Sequence, residues 1–363
     1  MTIVLPVLVI SGIGATLALL LVLAERFIAN YGTCRITIND EKQFSVQGGR
    51  SLLDALADEK LFVPSACGGR GTCGYCKVKV LDGAGPLLPT EEPYLSDQER
   101  ASGVRLSCQV RVRNDIKLEL PRALLEVREY ACTCSEMTDL TRDIKQIRLQ
   151  LEDPAKLAFV PGQYIQLLSP PYANVEEEVY RAYSVSSDPA DTSAVELIIR
   201  LVPGGICTTY VFEHLKPGHA VRINGPYGEF RLSETDRPIV FIAGGSGMAP
   251  IKSMLHHMQN TNCARPAVFF FGVNRAEDLF LLDRMKTFEQ ALPEFRFVPV
   301  VAQPDEAWAG EAGLVTEAVR RHVTEAAGRE AYLCGSPGMI DAAVAVLREL
   351  GMPETQIFYD KFE

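Results

Sequence analysis

The sequence lacks an excess of positive charge: 36 Lys and Arg stand against 46 Asp and Glu, a formal net charge of −10. Binding to a phosphate backbone needs clustered cations, so nucleic acid is excluded as a partner class. Internal repeats are absent, which removes stacked-repeat architectures, and the one low-complexity run is Glu176-Glu177-Glu178, which reads as a solvated loop. Neither disorder nor a polytopic membrane protein fits a chain that is 47% hydrophobic and 23% charged. A single core is also excluded, because cores stop growing near ~250 to 300 residues and the chain has 363.

The first run of sequence is uncharged. From Ile3 to Ala24 every residue is apolar or small, about the ~20 residues that a helix needs to cross a bilayer. It reads as a transmembrane anchor. A cleaved signal peptide fits less well, because Met1-Thr2 brings no basic region and Leu23-Ala24-Glu25-Arg26 is a poor cleavage site. Arg26 and Arg35 follow the span and no basic side chain precedes it, which places the remainder of the chain in the cytoplasm.

Beyond the anchor the hydrophobic period changes three times. Cys34–Ile38 and Gln43–Val46 alternate about a turn at Asn39-Asp40, and Ser51 caps a short helix to Glu59. A loop rich in Gly and Cys runs from Ala66 to Cys76, and Lys77–Leu81 is a strand. After Pro121 an all-β region follows, with strands expected at 142–151, 163–168, 194–202 and 220–223. From Arg237, buried strands at 239–243, 267–272, 296–301 and 331–334 alternate with helices, as in a parallel α/β sheet. The expected fold class is therefore multidomain: an N-terminal transmembrane helix (1–26), an α+β β-grasp domain (33–122), an antiparallel β-barrel (126–234) and an α/β domain (236–363).

Ten cysteines are present, and their crowding in one loop reads as a metal site in a reducing compartment. Cys67, Cys73 and Cys76 share that loop, and Cys108 follows Cys76 after 31 intervening residues. Four thiolates match a [2Fe-2S] cluster, and the C-x5-C-x2-C spacing is one residue longer than the plant type. Structural zinc also takes four cysteines, but usually from two short knuckles. Glycines let such a loop wrap closely and aim backbone N–H groups at sulfur. Cys34, Cys132, Cys134, Cys207 and Cys263 have no partner spacing and receive no redox role.

Two further signatures carry the chemistry. Arg181-Ala182-Tyr183-Ser184 ends a loop and enters a strand; there Arg suits a pyrophosphate, Tyr offers a flat face to an isoalloxazine ring, and Ser can hydrogen-bond a ring nitrogen. Gly205, Cys207 and Thr208 then precede an expected helix at 210–215, a phosphate-cradling start. Asn224–Phe230 reads as a closing turn. Gly244, Gly245, Gly247, Met248 and Pro250 lie between a buried strand and a helix expected at 251–258, the setting of a dinucleotide site. No Arg and Ser cluster for a 2′-phosphate is evident, so NADH is favoured over NADPH. Cys334 and Gly335 end a parallel strand, where Cys334 either lines the nicotinamide crevice or simply packs. Phe362 either covers a flavin or completes an edge strand.

The order of cluster, FAD and NADH sites resembles the family of NADH-oxidising F subunits of sodium-translocating NADH:quinone oxidoreductases. That resemblance implies Arg181 at the FAD phosphate, Tyr183 and Ser184 on the flavin, Phe362 stacked on its ring, and Cys334 beside the nicotinamide. Ser184 and Cys334 are then the expected catalytic positions. It further implies membrane subunits of a respiratory complex, or another electron-acceptor protein, as partners at a bacterial inner membrane. The loop between Pro171 and Arg181 is shorter than in that family, and the ending Tyr359-Asp360-Lys361-Phe362 is similar to reductase components of diiron monooxygenases, which are soluble. Electron counting supports either reading: NADH gives a hydride, a cluster takes one electron, and a flavin mediates between them. A nonenzymatic cluster-binding protein would show no flavin reduction by NADH.

Overall fold

Alternating side chains in β1 (Thr33–Ile38) bury Cys34, Ile36 and Ile38, and β2 (Lys42–Gln47) returns antiparallel across a turn in which Asn39 and Asp40 take positive φ. The computed structural model describes residues 11–20 and 31–362. Residues 11–20 are helical and exposed, and the rest of the anchor expected from Ile3 to Ala24 lies outside the described residues. Among the described residues no helix is long and apolar enough to cross a membrane.

The described chain divides into two units, with the boundary between Arg128 and Glu129. In the first, β3 (Lys77–Asp82), β4 (Val104–Leu106) and β5 (Ile116–Glu119) complete a mixed sheet of order β2-β1-β5-β3-β4, with β1 and β5 parallel. The helix Leu52–Asp58 buries Leu52, Ala55 and Leu56 against that sheet, and Ser51 Oγ accepts the Asp54 amide at 3.1 Å. This is a β-grasp. Its loop over residues 84–91 is held by one buried ion pair. Glu91 is fully buried and accepts Arg105 Nη2 at 2.6 Å, Arg105 Nε at 3.0 Å, the Leu106 amide at 2.9 Å and the Leu88 amide at 3.0 Å. The remaining Arg105 donors reach the carbonyls of Gly85 and Pro86, both at 2.9 Å.

The second unit opens with a barrel. Its strands β6 (Arg128–Asp139), β7 (Ile144–Asp153), β8 (Tyr164–Ser169), β9 (Val179–Ser184), β10 (Ala194–Arg200) and β11 (Ala220–Tyr227) run in the order β10-β7-β6-β11-β8-β9, and a bridge between Val185 and Leu197 closes the ring. Of these, β6 goes beyond the strands expected, and β9 ends at Ser184, near where the sequence had a strand begin. Asn224–Tyr227 also continues β11 through a bulge where the sequence suggested a turn. Asn, Gly and Pro mark a distortion there, but the ladder resumes at Tyr227 opposite Tyr164.

The remaining strands β12 (Ile239–Gly244), β13 (Ala267–Val273), β14 (Phe295–Val301), β15 (Glu311–Ala312), β16 (Glu330–Gly335) and β17 (Ile357–Lys361) form a parallel sheet of order β15-β14-β13-β12-β16-β17. The direction of winding reverses between β12 and β16. Such a switch point opens a crevice at the carboxyl ends of the strands. One apolar core joins barrel and sheet, since Ile144 and Ile198 pack with Met248, Ile251 and Phe241.

Removing one partner of a buried, fully hydrogen-bonded ion pair costs on the order of 3 to 5 kcal/mol. Arg105→Ala is therefore expected to lower native-state amide exchange protection at Leu106 by about a hundredfold or more, with amides of the second unit unaffected. Wild-type protection at Leu106 in the variant would show that the pair contributes nothing.

Candidate functional site

In the first unit the four cysteine sulfurs lie in two contacts, Cys67 with Cys73 at 3.3 Å and Cys76 with Cys108 at 3.2 Å, and none is in a disulfide. Among the described residues no group of three or more His, Cys, Asp or Glu side chains is arranged around a single ion. Two pairs of sulfurs suit two irons, not one zinc. Gly68, Gly69, Gly71 and Gly74 all have positive φ, which turns loop amides inward. Cys67 receives N–H groups of Thr72 and Cys73, Cys73 that of Tyr75, Cys76 that of Cys108, and Cys108 that of Gly71. The Ser107 hydroxyl is buried beside Cys76 and has no conventional partner. Donors aimed at sulfur, together with an orphaned buried hydroxyl, fit a cluster bound by four thiolates. Sharing a proton within each pair pulls Cys67 down to about 3 and Cys108 down to about 7, while their partners Cys73 and Cys76 are pushed up.

In the second unit, Arg181–Ser184 ends β9; the sequence suggested that it enters a strand. Alternation places Arg181 and Tyr183 on one face, with Ala182 and Ser184 on the other. Arg181 Nη1 donates to the Tyr180 carbonyl at 2.8 Å and lies close enough to Cys207 and Tyr183 to act on both electrostatically. The helix expected at 210–215 starts earlier, as an α-turn over Ile206–Thr209 that continues into a π-helical turn over Tyr210–His214. Cys207 and Thr208 therefore sit inside the first turn. The Cys207 thiol is buried in the barrel core, accepts the Tyr183 hydroxyl and is pushed up to about 11 by burial. Thr208 Oγ1 turns back to the Gly205 carbonyl at 3.2 Å. Both side chains thus shape the turn, and what it presents outward is backbone, next to Arg181.

Gly244 ends β12, Gly245–Gly247 form a single 3-10 turn, and the helix Met248–Asn260 begins three residues before the expected Ile251. Gly247 is compelled: a Cβ there would stand 2.2 Å from the Cys334 carbonyl oxygen. Gly335, with φ of +147°, has no room either, since a Cβ would meet Met339 Cε at 2.8 Å. Met248, Ala249 and Pro250 are buried, so this segment offers its backbone, not its side chains.

At the strand ends one carboxyl links the two halves of the unit. Asp360 pairs with Cys334 in the β16–β17 register and hydrogen-bonds Ser184 at the end of β9. Ser184, Cys334 and Asp360 are thereby brought together, and the Phe362 amide donates to the Gly335 carbonyl at 2.8 Å beside them. Cys334 is fully buried and its thiol is pushed well above the ordinary range by burial, with Asp360 adding to the effect. The sequence left Cys334 either lining the crevice or packing, and here its thiol is covered. Asp360 escapes a reading of the sequence. Its only signal is a carboxylate directly after three hydrophobic residues in the terminal strand, Ile357-Phe358-Tyr359-Asp360.

Burial pushes Asp360 up to about 6. An acid whose folded value exceeds its unfolded one, near ~3.9, binds its proton more tightly when folded. Stability is then greatest below about pH 4 and falls as pH rises through about 6, by up to about 3 kcal/mol. Asp360→Asn should flatten this slope and raise the thermal midpoint at pH 7.5 more than at pH 4.5; equal changes at the two pH values would refute the assignment.

Comparison with known proteins matches this division. A 2Fe-2S iron-sulfur cluster binding domain matches residues 36–113, an oxidoreductase FAD-binding domain matches 131–232 and an oxidoreductase NAD-binding domain matches 241–345. Among solved structures, a cytochrome P450 reductase from Amycolatopsis is 31% identical, with 91% of this chain and 99% of that chain covered and a TM-score of 0.73. A ferredoxin reductase in carbazole 1,9a-dioxygenase shares the fold at 24% identity over 92% of this chain and 99% of that chain, with a TM-score of 0.70. The F subunit of the Na(+)-translocating NADH-quinone reductase of Neisseria meningitidis is 31% identical with 100% of both chains covered, and that of Idiomarina loihiensis is 32% identical over 97% of this chain and 98% of its own. The chain therefore belongs to the family of F subunits of the Na(+)-translocating NADH-quinone reductases.

Proposed function

We propose that this chain is the NADH-oxidising subunit of a membrane-bound respiratory quinone reductase. It passes electrons from NADH through FAD to a [2Fe-2S] cluster. The observation that carries this reading is the coexistence, in one chain, of a four-sulfur loop lined with N–H donors and a switch-point crevice backed by Ser184 and Asp360. Bound flavin supplies the exchange between a two-electron donor and a one-electron acceptor.

The residues divide the work. Arg181 and the backbone of the Gly205–Thr208 turn hold the FAD phosphates, with Tyr183 and Ser184 against the ring. Gly244, Gly245 and Gly247 let the dinucleotide approach the start of the helix Met248–Asn260, where unpaired amides favour an anion. Cys334 and Gly335 shape the nicotinamide side, and Phe362 covers the flavin. Asp360 accepts or holds a proton at its carboxyl beside Ser184. Cys67, Cys73, Cys76 and Cys108 hold the cluster. The uncharged N-terminal run Ile3–Ala24 supplies a single-pass anchor in a bacterial inner membrane, with the rest facing the cytoplasm. The electrons then pass to partner subunits in the membrane. A second reading, reductase for a soluble oxygenase, is favoured by the likeness to the Amycolatopsis cytochrome P450 reductase.

Purified protein should show flavin and cluster absorption bands, and NADH should bleach both. In Cys108→Ala the cluster's electron-resonance signal should vanish while NADH still bleaches the flavin; a retained signal would refute the ligand set. After a carbonate wash the protein should stay with membranes, and complete release would favour the soluble reductase.

A further inference from the structure

Three side-chain donors face the cysteine sulfurs: Thr72 toward Cys67, Ser107 toward Cys76, and Gln109 toward Cys108. The two hydroxyls rotate freely about one bond. Gln109 does not, because both ends of its amide are engaged. Its Nε2 lies 3.6 Å from Cys108 Sγ, and its Oε1 accepts the Thr90 hydroxyl at 3.0 Å. Its orientation follows from these partners, since a flipped amide would set oxygen lone pairs against sulfur.

The surroundings hold that amide in place. A Cβ on Gly71 would stand 2.5 Å from Gln109 Nε2, so the glycine makes room for the amide against the cysteine loop. Thr90 precedes Glu91, the carboxylate locked by Arg105, so a buried ion pair fixes the segment that presents the Thr90 hydroxyl. The Gly71 amide also donates to Cys108.

We propose that the Gln109 amide, oriented by Thr90, is a hydrogen-bond donor to the Cys108 sulfur that raises the reduction potential of the cluster held there. This inference rests on the four-cysteine ligand set proposed above. The physical reason is that one-electron reduction adds negative charge to the cluster and its sulfurs. A donor aimed at sulfur therefore stabilises the reduced form more than the oxidised form.

The test is a redox titration of the purified full chain, followed by electron resonance for the cluster and by absorbance for the flavin. Gln109→Leu should keep the [2Fe-2S] spectrum and shift the reduction equilibrium toward the oxidised form by roughly tenfold, about 59 mV for a one-electron couple. Thr90→Val should shift it in the same direction by less, and Gln109→Met, of similar size, neutral and unable to donate, by about as much as Gln109→Leu. The flavin potential should stay at its wild-type value in all three. A cluster potential unchanged in Gln109→Leu overturns the proposal while leaving the ligand set intact. Should that variant lose its cluster, Gln109→Met decides: a lowered potential supports the role and a wild-type potential overturns it. Wild-type protein without a [2Fe-2S] spectrum would instead overturn the ligand set, and this inference with it.

Discussion

The hydride-handling half of the molecule depends on one close approach, that of the Gly247 backbone to the carbonyl of Cys334. Any side chain at Gly247 would collide with that carbonyl, so the turn after β12 can lie against the end of β16 only with glycine there. Because the sheet reverses its winding between these strands, this contact sits at the mouth of the crevice. What hangs from β16 and β17 is then positioned by register alone: Cys334 opposite Asp360, and Gly335 opposite Lys361. Met248, one residue past the glycine, is buried with Ile144 and Ile198 of the barrel. The barrel thus presents Ser184 to Asp360 through packing that begins at the same turn.

The first unit reaches a comparable rigidity by polar means. It has no parallel sheet to generate a crevice, and its site is a loop. The buried Glu91–Arg105 pair ties that unit's long connection to β4, the strand that leads into Cys108. Buried pairs of this kind contribute little net stability compared with apolar packing, but they penalise every arrangement that separates the partners. Glycines with positive φ then set the direction of the loop amides, and those amides point at sulfur.

Much of this is legible in the sequence, and the failures share a cause. The cysteine spacing, the Ser51 cap and the buried parallel strands are readable because each rests on a local pattern. Asn224-Gly225-Pro226 reads as a turn because its residues favour turns, yet barrel closure keeps them in β11 as a bulge. Cys207 and Thr208 look like phosphate-facing groups after a glycine pair, but the first helical turn carries both side chains inward. β9 is placed late because Glu176–Glu178 just before it reads as loop, although its partner β8 ends only ten positions earlier. Asp360 is invisible because its burial comes from Ser184 and Cys334, which stand 176 and 26 positions before it in the chain.

The two sites treat charge in opposite ways, and the difference follows from the electrons each must handle. Around the crevice, desolvation disfavours charge: the Cys334 thiol is pushed well up, and Asp360, raised to about 6, is neutral below that pH and ionised above it. A wall that disfavours charge keeps water away from the atoms between which a hydride would pass. Around the four cysteines, N–H groups converge on sulfur and favour the anionic form. Single-electron transfer leaves a charge behind at every step, so the receiving site needs donors already aimed at it. One chain therefore carries two electrostatic environments, one in each unit.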